Sequence, residues 1–301
     1  MRLPQEIIFN GVSLDKIRTE KNIINLQGAD LSDAFLIGWD LKNANLKNTN
    51  LTNANLELAI LTNTSLCGSN LNNVKLKDAN LYKADFNNCD MRDADLSNTI
   101  AIEANFERTI LESCNFSNTI QINSNFKFAN MRSSTLKESF FIGADFECVE
   151  LSNAIINKSN FTKANFFSSN LSDSCIEEAI FIYSDFNHSH LQNIQINLSD
   201  FTYSNLELSD FSYSQIKDSR FINAKMRLAK LSNAEISNCD LTGADLSSAE
   251  MINTVSKNNN LLGADFRSAI ITLDIFYSAI FYKADIKGCI FQKDGKDYLY
   301  P

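Results

Sequence analysis

Glycine and proline are scarce in this chain: 301 residues hold nine and two of them. Hairpin-built sheets turn mainly through glycine-containing loops, so a chain this poor in glycine must reverse direction by other means. Basic residues are also in deficit, with 27 Lys and Arg against 36 Asp and Glu and a net charge of −9. Direct nucleic-acid binding needs a basic surface that displaces counterions, so it is disfavoured; a basic or nucleic-acid-binding protein partner is compatible. Cysteines number seven, with no CxxC pair. An odd, scattered set indicates a reduced intracellular chain rather than a disulfide framework. No apolar run reaches 18 residues, and the opening MRLPQEIIFNGVSLDKIR has no secretory apolar stretch. No membrane contact is therefore expected, and the cytoplasm is the default location.

What the chain has instead is a repeat. Counting from Leu31 in steps of five to Phe291 gives 53 positions, of which 50 hold Leu, Ile, Phe or Met; the exceptions are Ala101, Gln121 and Ser256. This position is the centre of each repeat. Two residues earlier, 49 of the 53 are Ala, Ser, Thr, Cys or Val, the exceptions being Trp39, Ile194, Asn259 and Asp274. The residue just before the centre is Asp, Asn or Glu in 30 of 53. A period of five matches neither a helix nor a plain strand. It matches a chain that bends after every five residues, with the centre and the small residue pointing inward and three residues outward. Four bends make a turn of 20 residues, and like does recur at that spacing. One column reads Phe86, Phe106, Phe126, Phe146, Phe166, Phe186; another reads Ile156, Ile176, Ile196, Ile216, Ile236.

The segments ADLSD, ANLKN, ANLYK, ADFNN and ANFER resemble the A(D/N)LxX motif of pentapeptide-repeat proteins, across about residues 26–291. The resemblance implies an all-β right-handed quadrilateral β-helix, a square solenoid of about 13 coils. At ~4.8 Å per coil, that is a rod of about 60–65 Å. Both ends of a solenoid need capping. Residues 1–25 are expected to cap one end, with a short helix over SLDKIRTEKN and Ser13 as its N-cap. Residues 292–301, with Tyr298, Leu299 and Tyr300, are expected either to cap the other end or to mediate end-to-end dimerisation. A bulge is expected over Val255–Asn260, where Ser256 and Asn259 both occupy inward positions, and a second distortion at Asp274.

The frame also sorts the surface. In SNTIQINSN, residues 117–125, it points Thr119 and Gln121 inward and Ile120 and Ile122 outward. The same inversion recurs one or more coils away, where Ile100 and Ile102 flank Ala101, Phe140 and Ile142 flank Phe141, and Ile180 and Ile182 flank Phe181. All eight outward residues share one wall and make an apolar stripe. Three readings are open. β-Branched residues stabilise neighbouring strands even when exposed; a local one-residue flip would bury Ile120; or the stripe is a partner-binding surface.

Chemistry is sparse by comparison. His188 and His190 form an outward HxH with no further ligands nearby, which reads as a surface pair. Cys89, Cys114, Cys239 and Cys289 take small inward positions, whereas Cys67, Cys148 and Cys175 point out. No phosphate-cradling loop or nucleophile–base pair is present in the sequence. No catalytic, metal or cofactor residue is assigned, and an enzyme is not expected. The reading that follows is a non-catalytic scaffold whose stripe binds a protein partner or a second copy. The family resemblance implies an alternative: some members mimic B-DNA, bind DNA gyrase or topoisomerase IV and protect it from quinolones or toxins. Interspersed Lys and the lack of an interrupting loop weigh against this. An exported bacterial effector is a third possibility.

Overall fold

The computed structural model describes residues 24–272, 283–293 and 296–300. The expected N-terminal helix, and Asp274 with its expected distortion, lie outside these residues. Among the described residues the chain is all-β, and no helix is long and apolar enough to cross a membrane. It is a β-solenoid. Isolated bridges start at Asn25↔Asn45 and end at Asp265↔Asp285, each joining residues 20 apart in parallel.

Longer strands grow on two of the bridge columns. β1 (Thr135–Lys137), β2 (Ile155–Asn157), β3 (Cys175–Glu177), β4 (Gln195–Asn197), β5 (Gln215–Lys217), β6 (Glu235–Ser237) and β8 (Val255–Lys257) form a seven-stranded parallel sheet. β7 (Glu250–Met251), β9 (Ile270–Thr272) and β10 (Ile290–Lys293) pair in parallel, and β11 (Lys296–Leu299) closes that sheet antiparallel to β10.

Backbone hydrogen bonding explains the five-residue unit. In residues 44–48, Asn45 N–H donates to Ile24 O on the turn before, while Leu46 and Asn48 N–H donate to Ser65 O and Cys67 O on the turn after. Ala44 N–H closes a tight turn onto Leu41 O at 2.9 Å. The fifth donor, Lys47 N–H, is served by the side chain of Asn45, at 3.2 Å from Oδ1. The same local cap recurs at Asp85, Asn105, Asn125, Asp145 and Asn165. This is why Asp and Asn precede so many centres: an Asx side chain supplies the acceptor that the sheet does not.

The residue two after the centre adopts positive φ, as at Asn43 (58°), Asn63 (55°) and Asp93 (58°). Asn and Asp tolerate that region better than other L-residues, which is how the chain turns with so little glycine. Glycine takes the same position at Gly143 (φ 66°), where a Cβ would sit 2.6 Å from Asn123 Oδ1 and oblige that side chain to turn aside.

Inside, phenylalanines stack on themselves from turn to turn. Phe106, Phe126 and Phe146 lie parallel at 4.9 Å spacing, and Phe141 and Phe161 do the same on the adjacent column. The two columns meet at an angle, as Phe146 does with Phe161 at 57°. Small inward residues complete the core. Many of their hydroxyls and thiols donate to the carbonyl of a centre one turn back, as Thr109 does to Phe86 O at 2.7 Å and Cys114 to Met91 O at 2.9 Å, and others to the centre of their own turn, as Ser204 does to Phe201 O at 2.7 Å. On the seven-stranded sheet the small column is rich in serine, and the tight-turn bond is replaced. Ser139 N–H donates to Ser159 Oγ and Ser199 N–H to Ser219 Oγ.

The expected bulge at Val255–Asn260 is not there. β8 pairs in register with β6, Ile236 opposite Ser256. The two inward polar residues satisfy each other: Asn259 Nδ2 donates to Ser256 Oγ at 2.8 Å and to Ile236 O at 2.9 Å, and Asn259 Oδ1 accepts from Cys239 N–H at 2.8 Å. Polarity at an inward position does not force the backbone aside when the partners lie within the core.

Phe146→Ala removes a ring stacked on both sides and is expected to lower unfolding free energy by about 3–5 kcal/mol in urea titration. Gln121 is fully buried, and neither polar atom of its amide has a partner. Gln121→Leu is therefore expected to stabilise the rod by about 1–3 kcal/mol in the same assay, and a destabilised variant would reveal a partner for the amide.

Candidate interaction surface

The outward column through Ile100, Ile120 and Phe140 occupies the place where other repeats carry the capping Asp or Asn. Ile100 is 43% exposed, Phe140 48% and Ile180 37%, while Ile102, Ile120, Ile122, Ile142 and Ile182 are half-buried against their neighbours. The structure thus brings six of the eight stripe residues onto three consecutive turns, with Ile180 and Ile182 two turns further on. Bridges Ile100↔Ile120 and Ile120↔Phe140 hold those turns in register. Gln121 points inward and Ile120 outward, so the chain does not flip locally.

This column forgoes a bond. No capping bond from the N–H of Ile102, Ile122, Ile142 or Ile182 is present among the described residues, whereas Thr162 N–H, on the same column, is capped by Asn160 Oδ1 at 2.9 Å. Replacing Asx by Ile or Phe removes a local hydrogen bond and leaves apolar surface in water, so turn formation does not account for it.

Elsewhere the surface is laced with ion pairs. Lys127 Nζ lies 2.8 Å from Glu147 and 3.1 Å from Asp145, and the Glu147 hydrogen bond, with Asp145 next, raises the Lys127 pKa. Lys83 pairs with Glu103 at 3.2 Å and Arg227 with Glu207 at 2.5 Å. The Arg92 hydrogen bond holds the Asp90 carboxyl below its ordinary pKa. Acidic side chains are thereby interleaved with cations along the rod.

The remaining sequence candidates fall apart from one another. His188 contacts the Asn187 amide and the Phe167 ring, and His190 contacts Gln192. Among the described residues no group of His, Cys, Asp and Glu is arranged to hold a metal. Cys89, Cys114, Cys239 and Cys289 are buried; burial pushes the Cys89 thiol up to about 12 and those of Cys239 and Cys289 to about 11. Cys175 is exposed and borders a shallow depression of about 260 Å³ with Gln195, Gln215, Glu177 and Lys217. The tail folds back on the last turn. Gly288 N–H donates to Tyr300 O at 2.9 Å and Tyr300 N–H to Cys289 O at 2.8 Å, while Tyr298 and Leu299 stand 54% and 71% exposed.

A model of the pentapeptide repeat region matches residues 39–116, and one of pentapeptide repeats (8 copies) matches six overlapping windows within 114–181 and 209–272. The chain belongs to the pentapeptide-repeat family. Solved members resemble it. HetL, a pentapeptide repeat protein involved in heterocyst differentiation regulation from the cyanobacterium Nostoc sp. Strain PCC 7120, shares 21% identity over 92% of each chain with a TM-score of 0.21. A pentapeptide repeat protein from the Arabidopsis thaliana thylakoid lumen shares 25% over 36% of this chain and 63% of its own, with a TM-score of 0.22. The plasmid-mediated fluoroquinolone resistance protein QnrB1 shares 14% over 66% and 91%, with a TM-score of 0.26. At these scores none of the three carries an argument about this protein. No curated protein matches the sequence.

This pentapeptide-repeat rod also carries exposed bulky residues that the sequence reading missed, spread around one turn rather than gathered on one column. Four successive positive-φ positions hold Leu198, Tyr203, Leu208 and Tyr213, exposed by 40% to 63%. Tyr183 stacks on Tyr203 at 5.1 Å. The signal was available in the column two after the centre, where bulky residues replace Asn, Asp and Gly at a cost of roughly 1–2 kcal/mol each.

Ile120→Asn restores an Asx cap to Ile122 N–H. Its unfolding free energy is expected to stay within about 1 kcal/mol of the parent, and a loss above about 2 kcal/mol would make Ile120 a requirement of the rod itself. In native alkylation followed by mass mapping, Cys175 is expected to label first and the four buried thiols only on unfolding. Early labelling of Cys114 would contradict the packing described.

Proposed function

We propose that this protein is a non-catalytic protein–protein interaction scaffold. In this reading it is a right-handed rod of square cross-section, about 13 turns of 20 residues, and the column from Ile100 to Ile142 is its partner-binding surface. The observation that carries the reading is the exchange of the Asx cap for outward Ile or Phe on three consecutive turns, exposed at Ile100 and Phe140 and half-buried at Ile120. Contiguous apolar surface of this kind marks interaction sites. Side chains fill the inward positions, which supports presentation of a surface rather than enclosure of a substrate.

A second reading draws on the net charge of −9. An acidic rod offers a DNA-like ligand to the basic groove of a type II topoisomerase such as gyrase or topoisomerase IV. The ion pairs along the surface weigh against it, because interleaved cations dilute any phosphate-like stripe.

Affinity capture from a native lysate with the parent and with Ile122→Asp, read by mass spectrometry, separates the two. Under the scaffold reading the captured set changes with Ile122→Asp. Capture of topoisomerase subunits by both baits, together with protection of supercoiling activity, would replace it with the DNA-mimic reading.

A further inference from the structure

We propose that the apolar column is the two-fold interface of an antiparallel homodimer, with the axis passing at the turn of Ile120 and Ile122. The inference rests on the scaffold reading and names its partner as a second copy of this chain.

The observation is a mirror order along the rod. Outward from Ile120 in steps of 20 residues, Ile100 matches Phe140, Asn80 matches Asn160 and Ile60 matches Ile180; the next pair, Asp40 and Asp200, is like-charged and marks the limit of the matched face. All are bridge residues of one column, so their order in sequence is their order along the axis. In the column just beyond the centre the match holds for one step, Ile102 with Ile142 about Ile122, and ends at Tyr82 and Thr162.

A two-fold interface is isologous: the same patch serves both copies, and residue i meeting j requires j meeting i. When two rods lie face to face with their axes antiparallel, the turn a given number of steps before the two-fold axis meets the turn the same number after it. Ile100 then meets Phe140 of the second copy, Ile60 meets its Ile180, and Asn80 meets its Asn160. Ile120 and Ile122 meet themselves. Apolar faces apolar and amide faces amide over seven turns. At one edge of the face Asp78 comes opposite Lys158 of the second copy, an attractive pair, and at the other edge Lys83 comes opposite Lys163, so edge charge does not itself select the arrangement. A parallel face-to-face pairing sets each turn against itself, so it would place no demand on the order of residues along the column. The mirror order is therefore specific to the antiparallel arrangement. The missing caps fit as well: residues turned toward a second copy answer to its surface rather than to the local turn.

Sedimentation of the full chain over the micromolar range tests this. The expected mass is twice 33.8 kDa. Ile122→Asp sets two carboxylates against each other across the axis and is expected to weaken association at least about tenfold, with its melting curve confirming an intact rod. For orientation, Cys67, Cys148 and Cys175 are first changed to Ser. In that background Asn80→Cys/Asn160→Cys is expected to give a covalent dimer with a short bismaleimide cross-linker, which spans the ~10 Å between facing sheets. Asn80→Cys alone is not, because its two copies would lie about 19 Å apart along the axis, four turns at ~4.8 Å. A monomeric parent overturns the dimer, and the scaffold reading then stands only if lysate capture still depends on Ile122. A dimer that ignores Ile122→Asp overturns the assignment of the face. Cross-linking by Asn80→Cys alone overturns the antiparallel order.

Discussion

Every structural choice in this rod follows from one requirement, that five backbone N–H groups find acceptors in every five residues. Three are met by the turns above and below, and one by the tight turn within the repeat. The last has no backbone acceptor, and the residue before the centre supplies one from its side chain. This single unmet donor makes an outward position as constrained as an inward one. It also gives the surface a default composition against which departures stand out. The Ile and Phe residues at 100, 120 and 140 stand out because other repeats often place Asp or Asn there.

Much of this was legible in the sequence. The inward frame was plain because burial imposes a strict size rule on two positions in five, and it carried the correct orientation of Gln121 and Ile120. Other features were hidden because they depend on pairs. Ser256 and Asn259 each looked like a defect in isolation, and together they form a closed hydrogen-bonded unit. The serines of the seven-stranded sheet looked like space-fillers, yet Ser159 and Ser219 accept the N–H bonds that change the turn. The positive-φ column escaped notice because Asn and Asp there resemble any polar surface residue; Tyr203 and Leu208 gain meaning only once the backbone angle is known.

The interior and exterior divide the labour. Stacked phenylalanines and inward hydroxyls help fix the position of each turn relative to the next, so the outer side chains are held at regular intervals, with no loop or insertion among the described residues 24–272. A surface of this type gains specificity from the order of residues along a column. Gln121 is the largest of the unpartnered polar groups inside, which also include the hydroxyls of Ser134, Ser169, Ser189 and Ser214, and it lies on the turn that carries Ile120 and Ile122. It shows that the core tolerates a local polar fault when regular packing continues on both sides of it.

The pairing of residues 20 apart also governs how such a protein can change over generations. A one-residue insertion would shift every later side chain to the wrong side of the ladder, and even a five-residue one would turn all later columns onto a neighbouring face. Only the gain or loss of a whole turn leaves each column aligned. The molecule therefore behaves as a ruler with fixed graduations: lineage after lineage can lengthen it or slide a surface feature along it, but only in steps of about 4.9 Å, the distance between stacked phenylalanines.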